Sequence, residues 1–337
     1  MKLFRKNLKK EICVIAEIGN NHEGNLKLAY KMIREAKRSG ADAVKFQMMD
    51  PEYIVEKIKE KKRFKKLKKF LFSIEQFKKL KLYSKKIGIE FFITPFDLIN
   101  VKKINKLQNT FKISSGDNNF FPLIEKVLQT KKKVIISTGL AKFSEIKKLK
   151  NYVYKIWKKN KVSHKLILLH CVSDYPVKYS EANLKSILYL KKNLNDCIIG
   201  YSDHTLGIEG CLAAAAMGAR VIEKHFTLNK NLSSFRDHKL SATPEEMKTL
   251  TTYVKTINVM LGNEEKKLSK GEQKNQKSLR RSITISKNLP KNQKITIEHL
   301  NWLRNTKGIS PGKENIFINK RLKIKLNKGD TLKKSHV

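Results

Sequence analysis

Long apolar runs are missing from this sequence. The longest, near residues 211–217, is far short of the roughly 20 residues that a bilayer requires. The basic first ten residues lead into no apolar segment of the kind an exported chain carries, so a cytoplasmic protein with no membrane partner is expected. Cysteine is scarce as well. Cys13, Cys171, Cys197 and Cys211 lie far apart with no C-x-x-C pair, which excludes a zinc knuckle and a disulfide framework and leaves reduced, mostly buried thiols. Acidic residues are few: 30 Asp and Glu stand against 73 Lys and Arg, a formal charge of +43. Such a surplus suits nucleic acid or an anionic membrane. Arginine, however, is rare. Only ten of the basic residues are arginine, and the lysines spread over nearly every helix face instead of forming one stripe interleaved with aromatics. A solvated, lysine-rich surface with no nucleic-acid partner is therefore expected, with a field that attracts small anionic substrates.

What the chain does have is repetition. Eight apolar runs of strand length recur at residues 12–16, 43–46, 89–93, 111–113, 134–136, 166–169, 198–200 and 220–222. Helix-period segments lie between them, at 26–38, 74–86, 99–108, 123–129, 145–158, 184–192 and 208–217, and another, 244–260, follows the last. Eight strand-then-helix units over about 250 residues predict the α/β class and a closed parallel (β/α)8 TIM barrel, residues 1–262. Residues 263–281 are polar, without apolar periodicity, and are expected to be a linker. Residues 282–337 offer short strands at 283–285 and 322–326, and residues 285–295 are loosely echoed by 324–332, which predicts a small β-rich module. It is too small for much stability alone and is expected to pack on the barrel.

In such a barrel chemistry sits at the C-terminal strand ends. There the chain carries Glu17, followed by Asn20, Asn21 and His22; Lys45 and Gln47, which alternate with Phe46 and so face one side; Thr94; and Lys112 with Ser114, Ser115 and Asp117. Later strands end in Ser137 and Thr138, in His170, Ser173, Asp174 and Tyr175, in Ser202, Asp203 and His204, and in Glu223, Lys224 and His225. A lysine inside an apolar β-run is rarely buried without an anion, so Lys45 and Lys112 point to an anionic ligand. Residues 198–225 read as strand, helix, strand, which makes the two strands parallel neighbours and brings His204 and His225 to one rim. Two imidazoles there can hold a divalent metal with positions left for water and substrate. Singly, each residue has a plainer account: a histidine can be a satisfied polar group at a strand end, and Thr94, before Pro95, an ordinary turn residue. A structural protein, though, has no need of polar groups at the same end of nearly every strand.

Seven motifs in order carry a family likeness: Ala16-Glu17-Ile18-Gly19, Lys45-Phe46-Gln47, Thr94-Pro95-Phe96-Asp97, Lys112-Ile113-Ser114-Ser115-Gly116-Asp117, Ser137-Thr138-Gly139, Gly200-Tyr201-Ser202-Asp203-His204-Thr205 and Glu223-Lys224-His225-Phe226. Together they resemble the sialic acid synthase family, which includes N-acetylneuraminate, legionaminate and pseudaminate synthases, and the tail resembles that family's antifreeze-like (SAF) module. The resemblance implies condensation of phosphoenolpyruvate with an N-acetylated mannose-type sugar to a nine-carbon 2-keto acid and phosphate. It implies that Lys45, Gln47, Thr94, Lys112, Ser115, Tyr175 and Ser202 hold phosphoenolpyruvate, and that His204 and His225 bind Mn2+ or Mg2+. Asp237 would meet sugar hydroxyls, and Arg304 would reach from the tail module of one chain into the barrel of another in a domain-swapped homodimer. Water adding to the enol phosphate needs a base, for which Glu17, favoured here, or Asp117 is placed.

The chain departs from the family pattern in four places. Asp117 stands where glutamate is common, Ser173, in the substrate-binding set, where asparagine is frequent, and Arg236 where proline is usual. Residues 48–73 lack the family's sugar-contacting asparagine stretch. The sugar is thus left among N-acetylmannosamine, its 6-phosphate and a 2,4-diacetamido-trideoxy hexose, and Arg236 hints at an anionic substituent. Another phosphoenolpyruvate-dependent 3-deoxy-keto acid synthase and a basic nucleic-acid-binding protein are the alternative readings.

Overall fold

Apolar residues alternate in two phases along eight strands, and each phase faces its own core. The strands are β1 (Cys13–Gly19), β2 (Ala43–Met48), β3 (Glu90–Pro95), β4 (Thr110–Ile113), β5 (Lys133–Ser137), β6 (Ile167–Cys171), β7 (Ile198–Asp203) and β8 (Val221–His225) in a computed structural model that describes residues 1–304 and 307–337. All neighbours are parallel, in the order β3-β2-β1-β8-β7-β6-β5-β4. One phase, including Ile15, Ala43, Phe92, Ile135, Leu169 and Val221, forms the barrel interior. The other, including Val14, Val44, Phe46, Ile93, Ile136 and Ile222, packs under the helices. This is the expected (β/α)8 barrel.

The seam between β3 and β4 closes through a side chain. Gln108, just before β4, accepts from the Ile93 amide at 2.6 Å and donates to the Ile93 carbonyl at 3.0 Å, so one amide stands in for two ladder bonds. The expected helix over 99–108 is accordingly shorter: it runs Leu98–Ile104 and tightens into a 3-10 turn, Asn105–Leu107, before Gln108 reaches the seam.

The first ten residues do more than their charge announces. Lys2–Leu3 pairs antiparallel with Lys6–Asn7, and this hairpin sends Leu3 and Leu8 into the barrel interior, with the Phe4 ring 5.3 Å from Phe92. An additional helix, Lys61–Phe70, forms after β2 in a stretch so rich in lysine that only Phe64, Leu67 and Phe70 mark an apolar side. No helix among the described residues is long and apolar enough to cross a membrane.

The chain divides into two units, Met1–Gly262 and Asn263–Val337. In the second, part of the expected linker is ordered: Lys270–Leu279 is a helix opened by a capping box of Ser269 and Glu272. Its almost entirely polar composition, with Leu279 alone at its end, conceals it from any periodicity argument. β9 (Arg281–Ile285) pairs antiparallel with β10 (Leu300–Arg304) over a core that includes Ile283, Leu300, Phe317 and Leu332. The strand expected at 322–326 is reduced to an isolated bridge between Leu326 and Leu289.

One buried group links the fold to pH. His22 follows β1, stacks on Phe72 with ring centres 4.0 Å apart and accepts from the Gly24 amide at 3.0 Å. Burial pushes its pKa down to about 3. The folded value lies below the unfolded one, so the stability it carries is complete above about pH 6.5 and is lost as pH falls toward 3, by about 1.4 kcal/mol per unit. His22→Gln keeps an acceptor for Gly24 and removes the titration. Urea midpoints followed from neutral pH downward should fall less steeply for this variant than for the wild type; parallel curves would contradict the assignment.

Candidate active site

On six of the eight strands the interior phase turns from apolar at its start to polar at its end; β4 carries Lys112 after Thr110, and β6 runs Ile167, Leu169, Cys171. Ile15 gives way to Glu17, Ala43 to Lys45 and Gln47, Phe92 to Thr94, Ile135 to Ser137, Gly200 to Ser202, and Val221 to Glu223 and His225. The strands crowd closely here: a Cβ at Gly200 would lie 2.4 Å from the Val221 carbonyl oxygen.

Four charges meet at this level. Glu223 Oε1 is 3.3 Å from Lys112 Nζ and 3.8 Å from Lys45 Nζ, and accepts from the Ser202 hydroxyl at 3.1 Å. Lys45 Nζ lies 2.7 Å from the Glu17 carboxylate and donates to the Thr94 hydroxyl at 3.1 Å, while Gln47 donates to Glu17 at 2.7 Å. All four charged residues are 1–4% exposed. Burial lifts the Glu17 carboxyl above the ordinary carboxylate range. Burial also opposes the charge on Glu223, yet Lys112 and Lys45 together hold it well below that range. Lys45 is opposed by burial too, but Glu17 and Glu223 raise it further, whereas burial pushes Lys112 down. Glu223 is thus a fixed anion bridging two cations, and Glu17 is the carboxyl best placed to exchange a proton.

Above this cluster the His204 and His225 rings stand 5.3 Å apart, with the Tyr175 ring 4.2 Å from His204 and 6.5 Å from His225. His204 Nδ1 lies 2.8 Å from the Val172 carbonyl, which directs its proton there and leaves Nε2 as a lone-pair donor. His225 Nδ1 is buried without a partner among the described residues. Burial, then His204 and Lys45, hold the His225 pKa well below the usual value, so its ring is neutral. Burial opposes the charge on His204, yet the Cys171 sulfur raises its pKa, so this ring gives up a proton as a metal binds while His225 is already neutral; the two imidazoles fit a divalent ion whose other positions go to substrate and water. No third protein ligand joins them, for no group of three or more His, Cys, Asp or Glu among the described residues could hold a metal.

A cavity of about 640 Å³ opens over the site, lined on its inner side by Gln47, Ser115, Ser173, Tyr175, His225 and Asp237. Its outer wall is the helix Lys61–Phe70, whose Phe70 ring meets Phe235 edge-on at 5.3 Å. Gly24 permits that approach, since a Cβ there would sit 2.2 Å from the Lys69 carbonyl oxygen. Arg63, Lys66 and Arg236 also line the cavity. The Arg236 guanidinium lies 4.3 Å over the Tyr175 ring and its Nε is 3.2 Å from Asp237.

A model of the NeuB family matches residues 32–266. The chain belongs to the NeuB family. It is 39% identical to the N,N'-diacetyllegionaminic acid synthase of Campylobacter jejuni over 92% of this chain and 96% of that protein. To the N-acetylneuraminate-9-phosphate synthase of Mus musculus it is 33% identical over 96% and 92%. The solved N-acetylneuraminic acid (sialic acid) synthetase of Leptospira borgpetersenii, in complex with citrate, matches it with a TM-score of 0.72 at 38% identity, covering 78% of this chain and 90% of that one. This NeuB-family chain is a sialic acid synthase-type enzyme.

Within this NeuB-family barrel the residues singled out from sequence fall into distinct places. Glu17, Lys45, Gln47, Thr94, Lys112 and Ser202 meet in the charge cluster; Ser115, Ser173, Tyr175 and Asp237 line the cavity beside the His204–His225 pair. Asp117 is turned aside. Its carboxylate accepts from the Ser114 hydroxyl at 2.5 Å, burial raises its pKa, and it is not among the lining residues, although its neighbours Ser115 and Gly116 are. Arg304 is exposed at the end of β10 in the second unit. Glu223 had been placed on the rim from sequence but given no role. Its importance comes from standing between lysines of two other strands, which no local pattern reveals.

Proposed function

We propose that this enzyme condenses phosphoenolpyruvate with an open-chain N-acetylated mannose-type hexose and water, giving a nine-carbon 2-keto acid and phosphate. The observation that carries the reading is the buried Lys45 and Lys112 pair, bridged by Glu223, at the mouth of a barrel whose neighbouring hydroxyls await an acceptor. Among the described residues the Ser137 and Ser173 hydroxyls find no partner, and the Ser115 and Ser173 hydroxyls both crowd Gly139. Lysines and hydroxyls together suit the carboxylate and phosphate of phosphoenolpyruvate, with Thr94, Ser202, Gln47 and Tyr175 holding the set in place. His204 and His225 would hold Mn2+ or Mg2+, which when bound supplies Lewis acidity toward an aldehyde oxygen.

In the reaction, carbon 3 of the enol phosphate bonds to the aldehyde carbon as the aldehyde C=O π bond opens and its oxygen takes up a proton from solvent to become a hydroxyl, leaving carbon 2 electron-poor. Water adds at carbon 2 and gives a proton to Glu17, whose carboxyl pKa burial raises and which Gln47 and Lys45 orient. The new hydroxyl on carbon 2 then passes its proton to the departing phosphate and becomes the keto group as the bond from carbon 2 to the phosphate oxygen breaks, and Lys112 and Lys45 balance the departing charge. Asp237 meets the sugar hydroxyls. Arg304 is assigned, on family resemblance, to the N-acetyl carbonyl of a sugar bound by a second copy in a homodimer.

The sugar proposed is a 2,4-diacetamido-trideoxy hexose, leading to a legionaminic-type acid. It is favoured by the 39% identity to a diacetyllegionaminic acid synthase and by the apolar wall of Leu67, Phe70 and Phe235, which suits methyl groups. A 6-phosphorylated N-acetylmannosamine is the second reading, favoured by Arg63, Lys66 and Arg236. Phosphate release is measured with phosphoenolpyruvate, Mn2+ and a panel of these sugars, with arabinose 5-phosphate and erythrose 4-phosphate alongside. The diacetamido sugar is expected to turn over fastest. Release only with the pentose or tetrose phosphate would move the enzyme to another aldol class, and no release with any sugar would sink the assignment.

A further inference from the structure

On β7 and β8, in the side-chain phase opposite to the catalytic one, lies an ion pair that none of this chemistry uses. Asp203 and Lys224 are both 0% exposed and 2.8 Å apart. The Asp203 carboxylate is saturated. Oδ1 accepts from the Tyr201 hydroxyl and from the Thr205 amide and hydroxyl, each at 2.9 Å, and Oδ2 accepts from Lys224 and, at 3.3 Å, from the Cys211 thiol. Lys224 Nζ donates again, to the Thr205 carbonyl at 2.6 Å. Gly210 lets the helix Glu209–Ala216 close over the cluster, since a Cβ there would stand 3.0 Å from the Thr205 hydroxyl and 3.3 Å from Asp203.

Stability is a poor reason for such a pair, because an apolar pair of similar volume often does as well or better. Its location supplies a better one. Asp203 and Lys224 face each other in the β7–β8 register, and the register ends with them. On β7, Asp203 separates Ser202 from His204; on β8, Lys224 separates Glu223 from His225. Beyond the ladder, the Val177 amide binds the His204 carbonyl at 3.0 Å, and the Asp203–Lys224 cluster binds both the amide and the carbonyl of Thr205. His204 is therefore clamped between two residues, Asp203 and Thr205, whose positions the ion pair sets.

We propose that the Asp203–Lys224 pair is a positioning device for the divalent-metal site, locking the ends of β7 and β8 so that His204 and His225 face one another at ligating distance. This rests on the metal reading made above. The double variant Asp203→Asn, Lys224→Met removes both charges together, so that neither is left buried alone. Thr205→Val removes one hydroxyl donor and nothing else. Mn2+ binding is measured calorimetrically on the full-length protein without substrates, with His225→Ala as the reference for loss of the site.

The folded double variant is expected to bind Mn2+ roughly ten- to a hundredfold more weakly, the range typical of residues that orient metal ligands. Thr205→Val should show a smaller loss of about two- to fivefold, scaled down from that range because a single donor is removed. Wild-type Mn2+ affinity in a folded double variant would overturn the proposal, because a pair that only stabilises lowers Tm and leaves the site intact. Should the double variant fail to fold, wild-type affinity in Thr205→Val overturns it in the same way. Wild-type protein whose Mn2+ binding is indifferent to His225→Ala would instead remove the metal reading beneath it.

Discussion

Lys112→Met is expected to lower kcat/KM for phosphoenolpyruvate by about a hundred- to several-thousandfold. Truncating one partner of a buried, hydrogen-bonded charge pair where a ligand binds costs about 3–5 kcal/mol of interaction energy, and each 1.4 kcal/mol is tenfold in rate. Two effects combine. The cation facing the substrate disappears, and Glu223, left 3.8 Å from Lys45 as its nearest remaining cation, turns uncompensated negative charge toward an anionic ligand. The second effect can be separated. Adding Glu223→Gln to Lys112→Met should recover roughly tenfold, because an amide keeps an acceptor for Ser202 without the charge. Initial rates of phosphate release across phosphoenolpyruvate concentrations measure both. A Lys112→Met enzyme within about threefold of wild type would show that the buried lysines do not hold the substrate.

His225→Ala should abolish measurable turnover, a loss of at least about a thousandfold in kcat, while far-ultraviolet circular dichroism stays that of the wild type. Among the described residues the ring has no hydrogen-bond partner at Nδ1, so its removal leaves no donor or acceptor stranded, and the cost to folding is that of a cavity. Burial, His204 and Lys45 keep the His225 imidazole neutral, whereas burial at His204 is outweighed by Cys171, which raises its pKa above the ordinary histidine value, so Mn2+ affinity should weaken as pH falls through the His204 titration, a proton being released as the ion binds. A His225→Ala protein that still turns over would detach the histidines from the chemistry.

Much of the architecture was legible because a parallel barrel is written in two simple periods. Alternation marked the strands, and a 3.6-residue apolar stripe marked most helices. Legibility failed where neither period exists. The hairpin Lys2–Leu3 with Lys6–Asn7 rests on a few apolar side chains among lysines, the helix Lys61–Phe70 shows only Phe64, Leu67 and Phe70 among cations, and Lys270–Leu279 is nearly all polar and opened by a capping box. Gln108 reads as an ordinary polar residue at a helix end, yet it seals the barrel.

The same division applies to the site. The sequence by itself determined which side chains reach the C-terminal rim, because strand direction and period two decide on which edge and which face each residue emerges. Lys45, Lys112, His204 and His225 follow from that rule alone. Only the tertiary structure decided how those groups pair across strands: Glu223 between two lysines, Asp203 against Lys224 on the opposite face, Asp117 turned to Ser114. Charge pairing depends on a few ångströms between residues distant in the chain, and the energy of a buried charge is set by whichever neighbours it meets, which no local pattern encodes.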